Sequence, residues 1–163
     1  MRLIRMHSVA RRPILPKPLA LPLKILPKRL HGFALSRLLN QVFKQEMEEG
    51  ELDFLESRSV RIDVSDAGLS YRVRMDQGVF VESDALQDDL TITGTVYDFL
   101  LLITDREDPD TLFFQRHLSM DGDTGLGVHL KNMLAAVEME QLPLPKRFRP
   151  AMEKFVSFYE RFA

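Results

Sequence analysis

The chain contains no cysteine. That absence removes disulfides, thiolate nucleophiles and cysteine-ligated zinc, and it fits a reducing compartment. Long apolar runs are missing too: stretches such as Phe99 to Ile103 stop at five residues, far short of the roughly 18 a membrane-spanning helix needs. Prolines and lysines interrupt every apolar stretch near the N-terminus, so nothing there reads as a cleavable secretion signal. A cytoplasmic protein is the expectation.

Catalytic groups are equally sparse. His7, His31, His117 and His129 form no pair at metal-ligand spacing. His129 falls beside an apolar helical stripe and reads as a structural residue. No serine occupies a nucleophile-elbow context. Asp105, Glu107, Asp108 and Asp110 cluster where one helix should end and the next begin, which is the place for capping acids rather than an acid–base pair. The glycine-rich run from Gly122 to Gly127 has neither dinucleotide-fingerprint nor P-loop spacing, and Asp123 would repel phosphate; a turn with an N-cap at Asp123 or Thr124 accounts for it. No catalytic residue, metal site or cofactor is therefore expected.

Acidic residues are absent from positions 1–45, which hold ten Lys and Arg; the remaining 118 positions hold twelve basic and all 24 acidic residues. An arm this basic seeks an anionic surface, either phospholipid or nucleic acid, or folds onto the acidic face of its own domain. Pro13, Pro16, Pro18, Pro22 and Pro27 forbid a continuous helix there. The leucines and isoleucines between them make the arm too apolar for a simple solvated linker. Phe33 is the only aromatic residue before Phe43, so the arm lacks a stacking platform for single-stranded nucleic acid.

At 163 residues the rest suits one domain with a real core. Leu35 to Met47 reads as a helix with Leu35, Leu38, Leu39, Val42 and Phe43 on one side, closed by Gly50. Alternation of Val60, Ile62 and Val64 with Arg61 and Asp63, then of Leu69, Tyr71, Val73 and Met75 with polar partners, predicts strands with one buried face. Asp66-Ala67-Gly68 and Asp76-Gln77-Gly78 supply the turns. Val79 to Val81, Leu90 to Thr93, and Leu118 with Met120 add further strands, giving an antiparallel sheet. Thr95 to Asp98 has capping-box spacing and should open a helix through about Thr104. Asp108-Pro109 should start a short helix to about Arg116. Leu126, Leu130, Met133, Leu134 and Val137 form one helical stripe, and Met152, Phe155, Val156, Tyr159 and Phe162 another. So much apolar material without polar chemistry suits either an ordinary core or a cavity for a lipid or isoprenoid, and the pattern alone does not separate the two.

A resemblance bears on that choice. The run from Asp108 to Leu134, and within it Asp108-Pro-Asp-Thr-Leu-Phe-Phe-Gln-Arg116, resembles the bacterial sterol-carrier-like accessory factors of ubiquinone biosynthesis, the UbiT type. Leu39 to Phe43 and Gly50 to Glu56 agree, and the likeness extends over roughly residues 21–142. It implies an α+β sandwich: a roughly five-stranded, mainly antiparallel sheet covered on one face by helices, with a hydrophobic tunnel between them. It also implies a non-catalytic role in oxygen-independent ubiquinone synthesis, through prenylated intermediates or phospholipid, alongside peptidase-like proteins that hydroxylate the ring.

The expectation is then a basic arm over 1–33, a lipid-binding domain over 34–142, and a C-terminal amphipathic helix over 143–163 packing on it. Phe99, Leu100, Ile103, Phe113, Phe114, Leu126, Leu130, Met133 and Leu134 are expected to line the lipid site, since they recur on helix faces turned to the sheet. Lys17, Lys24, Lys28 and Arg29 are expected to contact an anionic membrane, placing the protein peripherally at the inner membrane. Nucleic acid is not an expected partner. The competing readings are an enzyme acting on a lipid substrate and nucleic-acid binding through the arm.

Overall fold

A computed structural model describes residues 12–14, 28–138 and 142–161, with only the backbone for 28–31. The first helix, α1 (Lys28–Val42), begins as soon as the proline run ends at Pro27, earlier than the expected start at Leu35. Phe43 leaves helical geometry at φ −100° and ψ 24°, and α2 (Lys44–Glu48) continues as a separate short segment. Leu52 and Leu55, the first just before and the second within a single 3-10 turn (Asp53–Leu55), are driven into the core.

The sheet comprises β1 (Ser59–Val64), β2 (Leu69–Asp76), β3 (Val79–Glu82), β4 (Leu90–Gly94) and β5 (Ser119–Gly122) in the order β3-β2-β1-β4-β5. The first three strands form a meander whose turns place Gly68 at φ 63° and Gly78 at φ 76°, as the Asp-x-Gly runs foretold. β4 then returns beside β1 and runs parallel to it, whereas the other strand pairs of the sheet are antiparallel. Asp88 and Asp89 hold that crossover. Asp88 receives Arg72 at 2.8 Å and Arg61 at 3.4 Å, while Asp89 accepts the Ser59 N–H at 2.8 Å. The edge of β3 is closed by a side chain. Asn40 of α1 donates to the Phe80 carbonyl at 2.8 Å and accepts the Phe80 N–H at 2.6 Å, standing in for a neighbouring strand.

Helices cover one face. α3 (Val96–Ile103) opens with the expected capping box between Thr95 and Asp98. α4 (Pro109–Phe114) is capped by Asp108, whose carboxyl is held below the usual range by the Thr111 hydroxyl and backbone N–H. β5 passes into α5 (Thr124–Ala136) through Gly122 at φ 126°, where a Cβ would run into the Asp89 carbonyl, and Asp123 caps the helix through the Leu126 N–H. α6 (Phe148–Arg161) buries Met152, Val156 and Tyr159 against α3. Phe155, expected in that stripe, is instead 49% exposed, and Phe162 lies outside the described residues. His129 stacks on Phe54 at 4.0 Å, a packing role on an exposed helix face.

Candidate lipid-binding cavity

The core is divided. One cluster gathers Ala67, Tyr97, Leu101, Leu102, Leu112, Leu118, Val156 and Tyr159 around α3 and α6. The other joins Leu52, Leu55, Val73, Met75, Phe80, Leu90, Ile92, Leu126, Leu130 and Met133 between the sheet and α5. Phe99, Leu134 and Val137 touch both. Between them lies a cavity of about 400 Å³, within the range of roughly 300–1,000 Å³ typical of small-molecule sites.

Its floor is the sheet face foretold by strand alternation: Val60, Ile62 and Val64 of β1, Leu69, Tyr71 and Val73 of β2, with Phe80 and Ile92. Its roof is helical: Leu35, Leu38, Leu39 and Val42 from α1, Val96, Phe99, Leu100, Leu102 and Ile103 from α3, Phe113 from α4, and Leu130, Met133 and Leu134 from α5. Leu142 and Leu144, from the segment before α6, and Phe148 at its start close one side. Tyr71 supplies the only polar side-chain atom among the described lining residues. Burial pushes its hydroxyl pKa up, so it stays a neutral phenol. A wall like this offers an ion nothing and an alkyl or isoprenoid chain a dry, well-matched surface.

Of the residues expected at a lipid site, Phe99, Leu100, Ile103, Phe113, Leu130, Met133 and Leu134 stand on the cavity wall, and two others do not. Phe114 is 91% exposed, because one helical step carries it outward from Phe113. Leu126, in the first turn of α5, is buried in the sheet-side cluster and does not reach the cavity. The reading of helix stripes overlooked the α1 leucines, whose one-sided spacing was the available signal. It also overlooked Leu142, Leu144 and Phe148, whose prolines mask any periodicity. Of the expected membrane contacts, Lys17 and Lys24 lie outside the described residues, and only the backbone of Lys28 and Arg29 is described.

Part of the arm folds back. Arg12 reaches Asp98 at 3.2 Å and Glu107 at 2.8 Å, so one cation of the arm docks at the capped start of α3. Arg12 and Pro13 are half-buried there, whereas Ile14 is 69% exposed. Among the described residues no group of three or more His, Cys, Asp or Glu could hold a metal ion, and no helix is long and apolar enough to cross a membrane.

Residues 35–135 match the SCP-2 sterol transfer family. The chain belongs to that family. It is 37% identical over 145 residues to the ubiquinone biosynthesis accessory factor UbiT of Escherichia coli (strain K12), across 89% of this chain and 82% of that protein. The fold is shared with the solved structure of the ubiquinone synthesis protein UbiJ-SCP2, at a TM-score of 0.53 and 15% identity over 66% of this chain and 95% of that one. This SCP-2 chain therefore extends beyond the family's match at both ends. Leu142, Leu144 and Phe148, which complete the wall, come from its C-terminal extension.

Proposed function

We propose that this chain is a non-catalytic accessory factor of ubiquinone synthesis that holds the tail of a prenylated precursor, or the acyl chains of a phospholipid, in its cavity. The observation that carries the reading is a wall whose described side chains are all apolar apart from Tyr71. Such a site recognises length and apolarity and has little with which to transform a bound molecule. The likeness to UbiT supports assigning the cargo to ubiquinone synthesis; the oxygen-independent branch is where this proposal places it. The peptidase-like ring hydroxylases of that branch are the protein partners this reading calls for.

The protein works at the inner membrane from the cytoplasmic side. The ten cations and absent acids of positions 1–45 support anionic lipid as the arm's target; each cation near such a surface contributes about 1 kcal/mol. The arm's Lys17, Lys24, Lys28 and Arg29 make that contact, with Arg12 tethering the arm to the domain. The partition into arm, lipid-binding domain and C-terminal helix belongs to the same proposal.

The test replaces the chromosomal copy by a chain carrying Leu100→Trp and Leu134→Trp, which fill the cavity from two sides. In cells grown without oxygen, ubiquinone should fall toward the level of a deletion strain while the variant protein persists. Normal ubiquinone in cells whose variant has lost its lipid would refute the proposal.

A further inference from the structure

α6 carries two apolar stripes, and the domain covers one of them. Met152, Val156 and Tyr159 are buried at 6%, 0% and 3% exposure, whereas Phe148, Phe155 and Phe158 remain 40%, 49% and 45% exposed. With Ala151, also exposed, the three phenylalanines recur at i, i+3, i+7 and i+10. On an α-helix that spacing is a single line, roughly a quarter-turn round from the buried stripe. Three half-exposed phenylalanines in one line are more than solvent-facing decoration.

Cations edge this ridge. Lys154 and Arg161 lie along its flank, and Lys146 and Arg147 stand in the turn at its start, all exposed. The helix's acids, Glu153 and Glu160, fall on the opposite side, and Glu160 is engaged by Arg106 at 3.0 Å. Phe148 belongs both to the ridge and to the cavity wall, so the ridge runs outward from the cavity's rim.

We infer that the Phe148–Phe155–Phe158 ridge is a second membrane-docking surface, which seats the C-terminal rim of the cavity on an anionic bilayer. The inference rests on the lipid-carrying reading above. Phenylalanines that insert, with lysine and arginine beside them, are the make-up of a helix lying in the membrane interface. A second copy of the chain fits the ridge poorly. A two-fold pairing about the middle of α6 sets Lys154 beside its own counterpart and Arg161 near Lys146 and Arg147 of the other copy, like charge against like. Seated on a bilayer, the ridge lets a lipid tail pass between membrane and cavity beside Phe148 without crossing water, and it divides the docking load with the arm.

Co-sedimentation of the full chain with vesicles of phosphatidylglycerol and phosphatidylcholine, and with phosphatidylcholine alone, tests this. One variant carries Phe155→Ser and Phe158→Ser; the other keeps the ridge and carries Lys154→Glu and Arg161→Glu. Neither alters the cavity wall. Each should bind anionic vesicles about tenfold more weakly than the parent chain, with the lipid recovered from the purified protein unchanged. If the serine variant folds poorly, the charge variant decides. Parental binding by both variants, or a parent chain that ignores anionic vesicles, overturns the inference. So does a dimer that the serine variant dissociates with vesicle binding unchanged, which assigns the ridge to a second copy. Failure of the lipid-carrying reading shows separately, as no lipid in an extract of the parent chain.

Discussion

The guanidinium of Arg12 meets the carboxylate of Asp98 at 3.2 Å across a separation of 86 residues. Asp98 is 3% exposed, and its other oxygen accepts from the Thr95 N–H at 3.0 Å and hydroxyl at 2.6 Å. One buried carboxylate therefore both caps α3 and anchors the arm. Asp98→Ala should cost about 2–3 kcal/mol, since the cap is lost and buried donors go unpaired. For a domain of this size that is a fall in Tm of roughly 5–10 °C. Arg12→Ala should cost about 1 kcal/mol alone and less in the Asp98→Ala background, where only its pair with Glu107 remains to be lost. Additive losses in thermal melts of the double variant would dissociate the anchor from the cap.

The Asn40 amide closes the exposed edge of β3 through both backbone groups of Phe80. Asn40→Leu should leave that pair unsatisfied and cost about 1–3 kcal/mol, and the Phe80 amide should exchange with deuterium faster by a similar free energy. Unchanged protection at Phe80 would mean that something else covers the edge.

The Tyr159 hydroxyl is buried without a hydrogen-bond partner among the described residues, and desolvation, reinforced by Asp66, pushes its pKa from 10.0 up to about 12. The folded state thus keeps a proton that the unfolded chain releases. The group leaves stability unaffected below pH 10 and lowers it as pH rises toward about 12, by on the order of 2 kcal/mol in all. Burial raises Tyr71 and Tyr97 in the same direction. Tyr159→Phe should leave neutral-pH stability unchanged or slightly higher, since the side chain stays apolar and sheds an unpaired hydroxyl. It should also flatten the alkaline limb of a stability–pH curve. An alkaline limb as steep as that of the parent would assign the effect to other tyrosines.

Local features were legible in the sequence because a few adjacent residues determine them. Thr95 with Asp98, Asp108 before Pro109, and Asp123 cap helices as their spacing indicates, and Gly68 and Gly78 turn the meander. The buried faces of β1 and β2 followed from alternation. The parallel pairing of β1 with β4 did not, because Asp88 and Asp89 set it through contacts with Arg61, Arg72 and Ser59. The cavity was harder still, since it exists where two clusters fail to merge, a matter of how closely helices approach the sheet. Leu126 and Leu130 share one stripe and one cluster, yet only Leu130, a turn further along α5, also reaches the cavity wall. Phe113 and Phe114 look alike in sequence and lie on opposite sides of that boundary.

Organic extraction of the purified full chain, followed by mass spectrometry of the extract, tests the central claim that the space between the two clusters carries an apolar molecule. The account predicts isoprenoid or acyl-chain lipid recovered in proportion to protein, and its loss from the Leu100→Trp, Leu134→Trp variant. Lipid recovered equally from parent and filled variant would place it outside the cavity, and a parent chain that yields none would contradict the account outright.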